Sequence, residues 1–218
     1  EIARRAGAEL LLLTSIQPVG VCDATATAIN WEREERLAQE YLDAQKERLQ
    51  ADGVKARVKR LHGDAAEGVL EATETEGVSL IAMSTHGRSG LTRWLFGSVA
   101  DRVVQSAHVP ILIIRPNGKT PLPSPVFEKL LVPLDGSETA AGVIPFVEEV
   151  AKLFGAGLVL YHAVPPVSAY PGFETVNPQL DGRVLEEMQQ QAKELLSRAA
   201  HDLEARGASV TVAVSIDL

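Results

Sequence analysis

EVAKLFGAGLVLYHAV, residues Glu149 to Val164, aligns without a gap to EIARRAGAELLLLTSI, residues Glu1 to Ile16. The pairs Glu1/Glu149, Ala3/Ala151, Gly7/Gly155, Ala8/Ala156, Leu10/Leu158 and Leu12/Leu160 are identical at a constant offset of 148. In the later copy the stretch reads as the end of a helix, a glycine that stops it at Gly155, and a buried strand over Leu158 to Ala163. A second match, LQADGVKARV from Leu49 against LEARGASVTV from Leu203, has an offset of 154, which places a six-residue length change in the connection between the two matches. Two ordered matches define an internal repeat, and the repeat fixes the reading of everything around it.

Strands and helices alternate outward from this unit. Leu130 to Leu134 reads as a buried strand, and Ser137 as the N-cap of one helix running through Val147 and Val150 to Phe154. Leu185, Met188, Ala192, Leu195, Leu196, Ala199 and Leu203 recur at spacings of three and four, one stripe of a long helix that Gly207 stops. The matching helix, around Trp31 to Leu49, carries Glu34 and Gln45 where the later copy has Met188 and Ala199. Asp64 and Glu67 are spaced as a capping box ahead of a helix that ends by Gly77. Val78 to Met83 reads as a strand, Ser98 to Ser106 as a helix and Val109 to Ile114 as a closing strand. Continuous apolar strands alternating with amphipathic helices define an α/β fold with an open, mostly parallel, doubly wound sheet of Rossmann type, in two tandem copies. The copies are expected at 1–115 and 127–218, separated by a Pro-rich linker at 116–126 (PNGKTPLPSP within it). By the repeat, both are expected to be truncated: the first copy begins at the equivalent of Glu149 and lacks a first strand, and the second ends at the equivalent of Asp64 and lacks the phosphate-loop half.

In such sheets ligands sit beyond the carboxyl ends of the strands. The segment there is STHGRSGLTRWLFGS, Ser84 to Ser98, between a buried strand and a helix. Glycine lets backbone N–H groups approach phosphate oxygens, and Ser98 adds a hydroxyl at a helix N-terminus, where unpaired N–H groups and the dipole favour an anion. Arg88 and Arg93 either neutralise phosphate or are solvated. The alternative is structural: Gly87 and Gly90 punctuate a turn and Gly97-Ser98 caps a helix. Leu91, Trp94, Leu95 and Phe96 are too apolar for an exposed loop and read as a short packed helix.

The strand LIAMSTHGRSG, the spacing Gly87-x9-Gly97-Ser98 and the close VPILIIRP resemble the universal stress protein family, whose ATP-binding members carry Gly-x2-Gly-x9-Gly followed by Ser or Thr. VPLDGSE and HGDAAEGV also resemble family segments, so the likeness covers the chain apart from the linker. Ser84 stands where the pattern has its first glycine. The resemblance implies an adenine-nucleotide-binding fold, with Met83, Ser84, Gly87, Arg88, Gly97, Ser98 and Val99 lining the triphosphate and ribose. It also implies that Ser15 meets adenine through its backbone, and that Asp135, with Pro133 beside it, is the acidic residue near the nucleoside. For Asp135-Gly136 the competing reading is a turn followed by the cap at Ser137. ATP, with Mg2+, is the implied cofactor, and a homo-oligomer through Val109 to Ile114 the implied assembly, since edge strands are natural pairing surfaces.

Composition bounds the rest. A formal charge of −8 argues against nucleic acid or an anionic membrane as partner, because both recruit Lys and Arg to phosphate. Cys22 is the one cysteine, so no intrachain disulfide or multi-thiolate metal site can form. This cysteine usage suits a reducing compartment, so a cytoplasmic protein is expected, and no apolar run reaches membrane-spanning length. GKT at Gly118 to Thr120 lacks the earlier glycine of a P-loop, Ile113 standing there. None of His62, His86, His108, His162 and His201 has metal-ligand spacing, and four read as structural, His86 lying in the loop. No GxSxG nucleophile appears, and no general base stands out in the loop. The function expected is an ATP-binding stress sensor or regulator, not an enzyme; the alternatives are a nucleotide-independent interaction scaffold and a weak ATPase or phosphotransferase.

Overall fold

The computed structural model describes residues 1–16, 24–84, 97–114, 127–165 and 178–216. The chain divides into two compact units, Glu1–Leu122 and Pro123–Leu218. Unit one contains α1 (Ile2–Ala6), β1 (Leu10–Ile16), α2 (Ala24–Ala51), β2 (Ala56–His62), α3 (Ala65–Thr75), β3 (Ile81–Ser84), α4 (Ser98–Ser106) and β4 (Ile111–Ile114). Unit two contains β5 (Lys129–Pro133), α5 (Glu138–Ala141), α6 (Ile144–Phe154), β6 (Gly157–Val164), α7 (Pro178–Ala205) and β7 (Val210–Ile216). Every strand pair is parallel, as helical crossovers require. The architecture is α/β with open parallel sheets.

The internal repeat is written into the register of those sheets. Leu10 pairs with Ala56 in unit one and Leu158 with Val210 in unit two, which reproduces both offsets, 148 and 154. The stops repeat as well: Gly7 and Gly155 take φ of 64° and 66°, and Gly53 and Gly207 take 76° and 88°. This left-handed backbone lets a helix end and turn at once into the next strand, at a conformation a Cβ penalises.

Unit two has the sheet order β5-β6-β7, so its central strand is paired on both edges. Leu158 and Leu160 are 1% and 0% exposed and pack with Val132, Leu196 and Leu203 in one apolar cluster. Removing each such leucine from water contributes roughly 1.5–3 kcal/mol. At the rim, nearly buried Glu148 accepts from Lys152 Nζ at 2.8 Å and from Arg206 Nε at 3.0 Å, which ties α6 to the turn after α7. The Arg206 and Lys152 contacts satisfy a carboxylate that would otherwise be costly to bury.

In unit one the strands form two separate pairs, β1-β2 and β3-β4, and no strand joins them among the described residues. Leu10 and Leu12, the counterparts of Leu158 and Leu160, are accordingly only half-buried. Helix α3 spans the division, packing on β1, β2 and α4. Its Ala66, Val69 and Leu70 share a cluster with Ile81 and Met83 of β3 and Val103 of α4. Gly68 lets α3 lie close on β2, since a Cβ there would stand 3.0 Å from Leu61 Cδ1.

Several boundaries differ from the sequence reading. The helix expected to run unbroken from Ser137 is two, α5 and α6, divided at Gly142 and Val143. Pro145 explains the division, because inside a continuous helix it would remove an N–H and clash with the carbonyl of Ala141. The strands expected from Val78 and Val109 begin at Ile81 and Ile111. Val78 N–H closes the preceding turn on Thr73 O instead, and the Pro110 carbonyl accepts from Ile81 N–H at the entry of the β3-β4 pair.

Candidate functional site

The carboxyl ends of parallel strands and the N-termini of the helices that follow them lie on one edge, because each crossover helix runs back antiparallel to its strands. In unit one this edge holds Ser84 at the end of β3, the start of α4, the start of α3, and Ser15 and Ile16 at the end of β1. Helix α4 begins as the sequence predicts. Gly97 is its N-cap with φ −71° and ψ 158°, extended backbone that any residue adopts, so no left-handed geometry demands glycine there. Ser98 and Val99 form its exposed first turn, where backbone N–H groups have no intrahelical acceptor.

Arg102, one turn further on, locks this helix in place. Its Nη1 donates to Asp64 Oδ2 at 2.6 Å and its Nη2 reaches Glu67 Oε1 at 3.4 Å. Asp64 meanwhile caps α3, Oδ1 accepting from Glu67 N–H at 2.9 Å. The Glu67 N–H and then the Arg102 guanidinium hold the Asp64 carboxyl below the ordinary carboxylate range. Half of the expected capping box is therefore present, while the Glu67 side chain turns to Arg102. Ser15 uses its hydroxyl on Gly63 O at 3.0 Å, stitching β1 to the turn after β2. Met83 packs inward against the α3-α4 cluster, leaving Ser84 at the exposed strand end. Gly87 and Arg88 lie outside the described residues, as does the 116–126 stretch.

Unit two carries the other two expected residues, Pro133 and Asp135, at the end of β5. Asp135 Oδ1 accepts from Ser137 N–H at 2.9 Å, and the Ser137 side chain in turn caps α5 by accepting from Ala140 N–H at 3.0 Å. The Ser137 hydroxyl first, and its N–H second, hold the Asp135 carboxyl below the ordinary range. Gly136 has φ 88°, so the turn needs its glycine. The turn-and-cap reading of this segment is thus present, and Asp135 also lines a cleft of about 220 Å³ with His162, Pro165, Met188, Gln191 and Leu195. His162 Nδ1–H donates to the Leu134 carbonyl at 2.7 Å, which pins the residue just before Asp135.

The expected site residues thus fall into two groups, Ser15, Met83, Ser84, Gly97, Ser98 and Val99 in unit one and Pro133 and Asp135 in unit two. Sequence reasoning did not single out three neighbours of these residues: Arg102, which pairs with Asp64 and Glu67, and His162 and Gln191, which line the cleft with Asp135. The repeat held a signal for the last two. By its offsets His162 stands opposite Thr14 and Gln191 opposite Leu37, so the two copies differ at both positions.

A model of the universal stress protein family matches residues 1–115 and 127–217. The chain belongs to that family, which sets its role at family level in the stress response. Among curated proteins it is 40% identical over 77 residues to universal stress protein MJ0531 of Methanocaldococcus jannaschii, covering 35% of this chain and 45% of that one. It is 36% identical over 118 residues to a universal stress protein of Mycolicibacterium smegmatis, covering 52% of this chain and 38% of that one. It thus spans half or less of each of these relatives. A universal stress protein structure from Archaeoglobus fulgidus superposes with a TM-score of 0.68 at 24% identity, covering 99% of this chain and 70% of that one. One from Pseudomonas aeruginosa gives 0.55 at 14%, covering 94% and 74%. These two structures speak for the fold. Among the described residues no helix is long and apolar enough to cross a membrane.

Proposed function

We propose that this chain binds adenine nucleotide, ATP with Mg2+, and serves in the cytoplasm as a stress-response sensor or regulator rather than as an enzyme. The observation that carries this reading is the start of α4: Gly97-Ser98 opens a nine-residue helix on the carboxyl edge of a parallel strand pair, with its first-turn N–H groups and the Ser98 hydroxyl exposed. Anionic phosphate is favoured at such an end by unpaired N–H groups and by the helix dipole. Ser98 and Val99 would meet the phosphates, Met83 and Ser84 the ribose side, and Gly87 and Arg88 belong to the same loop by sequence. A regulator is favoured over an enzyme because the edge carboxylates Asp64 and Asp135 are engaged in capping and ion pairing, which depresses their basicity.

Gly97→Asp tests the reading cleanly. Aspartate is a good N-cap at this φ and ψ, so α4 should persist while a negative charge enters the phosphate position. Calorimetric titration of the full chain with Mg-ATP should show binding that Gly97→Asp weakens at least tenfold. No heat at millimolar nucleotide in the parent protein would favour the interaction scaffold instead, and steady phosphate release above buffer would favour a weak ATPase. Self-association through β4 belongs to the same reading. This strand pairs with β3 on one edge, and Ile114 is 42% exposed. Light scattering should return a dimer mass.

A further inference from the structure

The cleft in unit two contains a pair of groups whose hydrogen-bonding capacity is one-sided. Asp135 is an ionised carboxylate and accepts only. His162 donates through Nδ1–H to the Leu134 carbonyl at 2.7 Å, an acceptor that offers no proton in return. In the neutral ring this fixes the tautomer and makes Nε2 an acceptor. Both side chains line the same cleft of about 220 Å³, whose α7 wall is formed by Met188, Gln191 and Leu195. Their counterparts in unit one are Thr14 for His162, and Glu34, Leu37 and Tyr41 on the helix. The two units share a backbone register but present different chemistry at this position.

We infer that His162 is a specificity-determining residue: with Asp135 it forms a double acceptor that selects nucleosides by their N–H and O–H donors, in unit two alone. The inference rests on the adenine-nucleotide reading and refines it. A purine with an exocyclic amine, or a ribose with its hydroxyls, satisfies two acceptors; a purine with a carbonyl at the same ring position sets lone pair against lone pair. A site that hydrogen-bonds a ligand's donors rejects an analogue lacking them more strongly than an apolar pocket does, and here half-buried His162 and exposed Asp135 supply the acceptors. The apolar surfaces of Met188 and Leu195 suit a ring face, sulfur being well adapted to aromatic contact.

The test uses the full chain carrying Gly97→Asp, so that unit one's phosphate end is silenced. Adenosine, inosine and 2′-deoxyadenosine are titrated calorimetrically, with and without His162→Asn. Asparagine keeps an N–H donor in the place of Nδ1–H for the Leu134 carbonyl and withdraws the acceptor from the position of Nε2, its own Oδ1 lying nearer the main chain. The expected result is adenosine bound at least tenfold more tightly than inosine, with the ratio falling to within twofold in His162→Asn. A loss confined to 2′-deoxyadenosine, and abolished by the same substitution, supports the double acceptor and assigns it to the sugar. Adenosine should also move the imidazole Cε1–H resonance of His162, which a purely structural histidine would not show. Discrimination unchanged in His162→Asn overturns the inference while nucleotide binding stands. Failure of the parent chain to bind ATP or adenosine at all overturns the nucleotide reading itself.

Discussion

Glu76 closes α3 and receives two cations from β2, Arg57 Nη1 at 2.5 Å and Lys59 Nζ at 2.6 Å. Lys59 first and Arg57 second bring its carboxyl down from 4.5 to about 2. A depressed folded-state value means that the ionised form is favoured by folding, so the contribution is present above the ordinary value and lost as pH falls through the folded one. Glu76→Gln should therefore lower the melting temperature at neutral pH, and the gap to the parent should close between about pH 4.5 and 2. Thermal scans of both proteins across that range check it, and a gap that stays constant would place the loss elsewhere. The Glu76 partners were not legible in the sequence. Arg57 and Lys59 lie 19 and 17 residues away, and only the register of β2 brings them to the end of α3. The Asp64 cap was legible, because its partner is three residues along the chain. Arg102 was not, lying 38 residues away on another helix.

At the scale of elements, the repeat supplies a controlled comparison. Leu160 and Leu12 are the same residue in the same register, yet Leu160 is fully buried between two paired strands and Leu12 is half-buried on a strand paired at one edge. Cavity costs scale with the volume left unfilled, so Leu160→Ala should cost about 3–4 kcal/mol and Leu12→Ala about half as much. Urea unfolding of each variant measures both. Hydrogen exchange should agree, with Leu158 to Val164 protected longer than Leu10 to Ile16. Strands and helices were readable because their signals are local: apolar runs, glycine stops and caps. The break at Gly142 was misread because apolar periodicity continues across it from Val143 to Val147, while Pro145 decides the backbone. The start of α4 was readable from Gly97-Ser98, yet Gly97 adopts an ordinary extended backbone, so φ does not require a glycine there.

For the molecule as a whole, both tryptophans, Trp31 and Trp94, belong to unit one. Trp31 stacks on His62 with ring centroids 5.3 Å apart, so its emission should report the region around α2 and β2. Excitation at the red edge of tryptophan absorption should follow unit one alone, whereas far-ultraviolet dichroism follows both units. Non-coincident denaturation midpoints from the two signals are the expected outcome, and coincident ones would mean that the units unfold together. The bridging position of α3 carries the same reasoning inside unit one. Because this helix packs on both strand pairs, loosening it separates two pairs that share no backbone ladder among the described residues. The melting of unit one should then be a graded affair, its calorimetric enthalpy exceeding the van't Hoff value, with the closely seated α3-β2 contact at Gly68 as the seam along which it first comes apart.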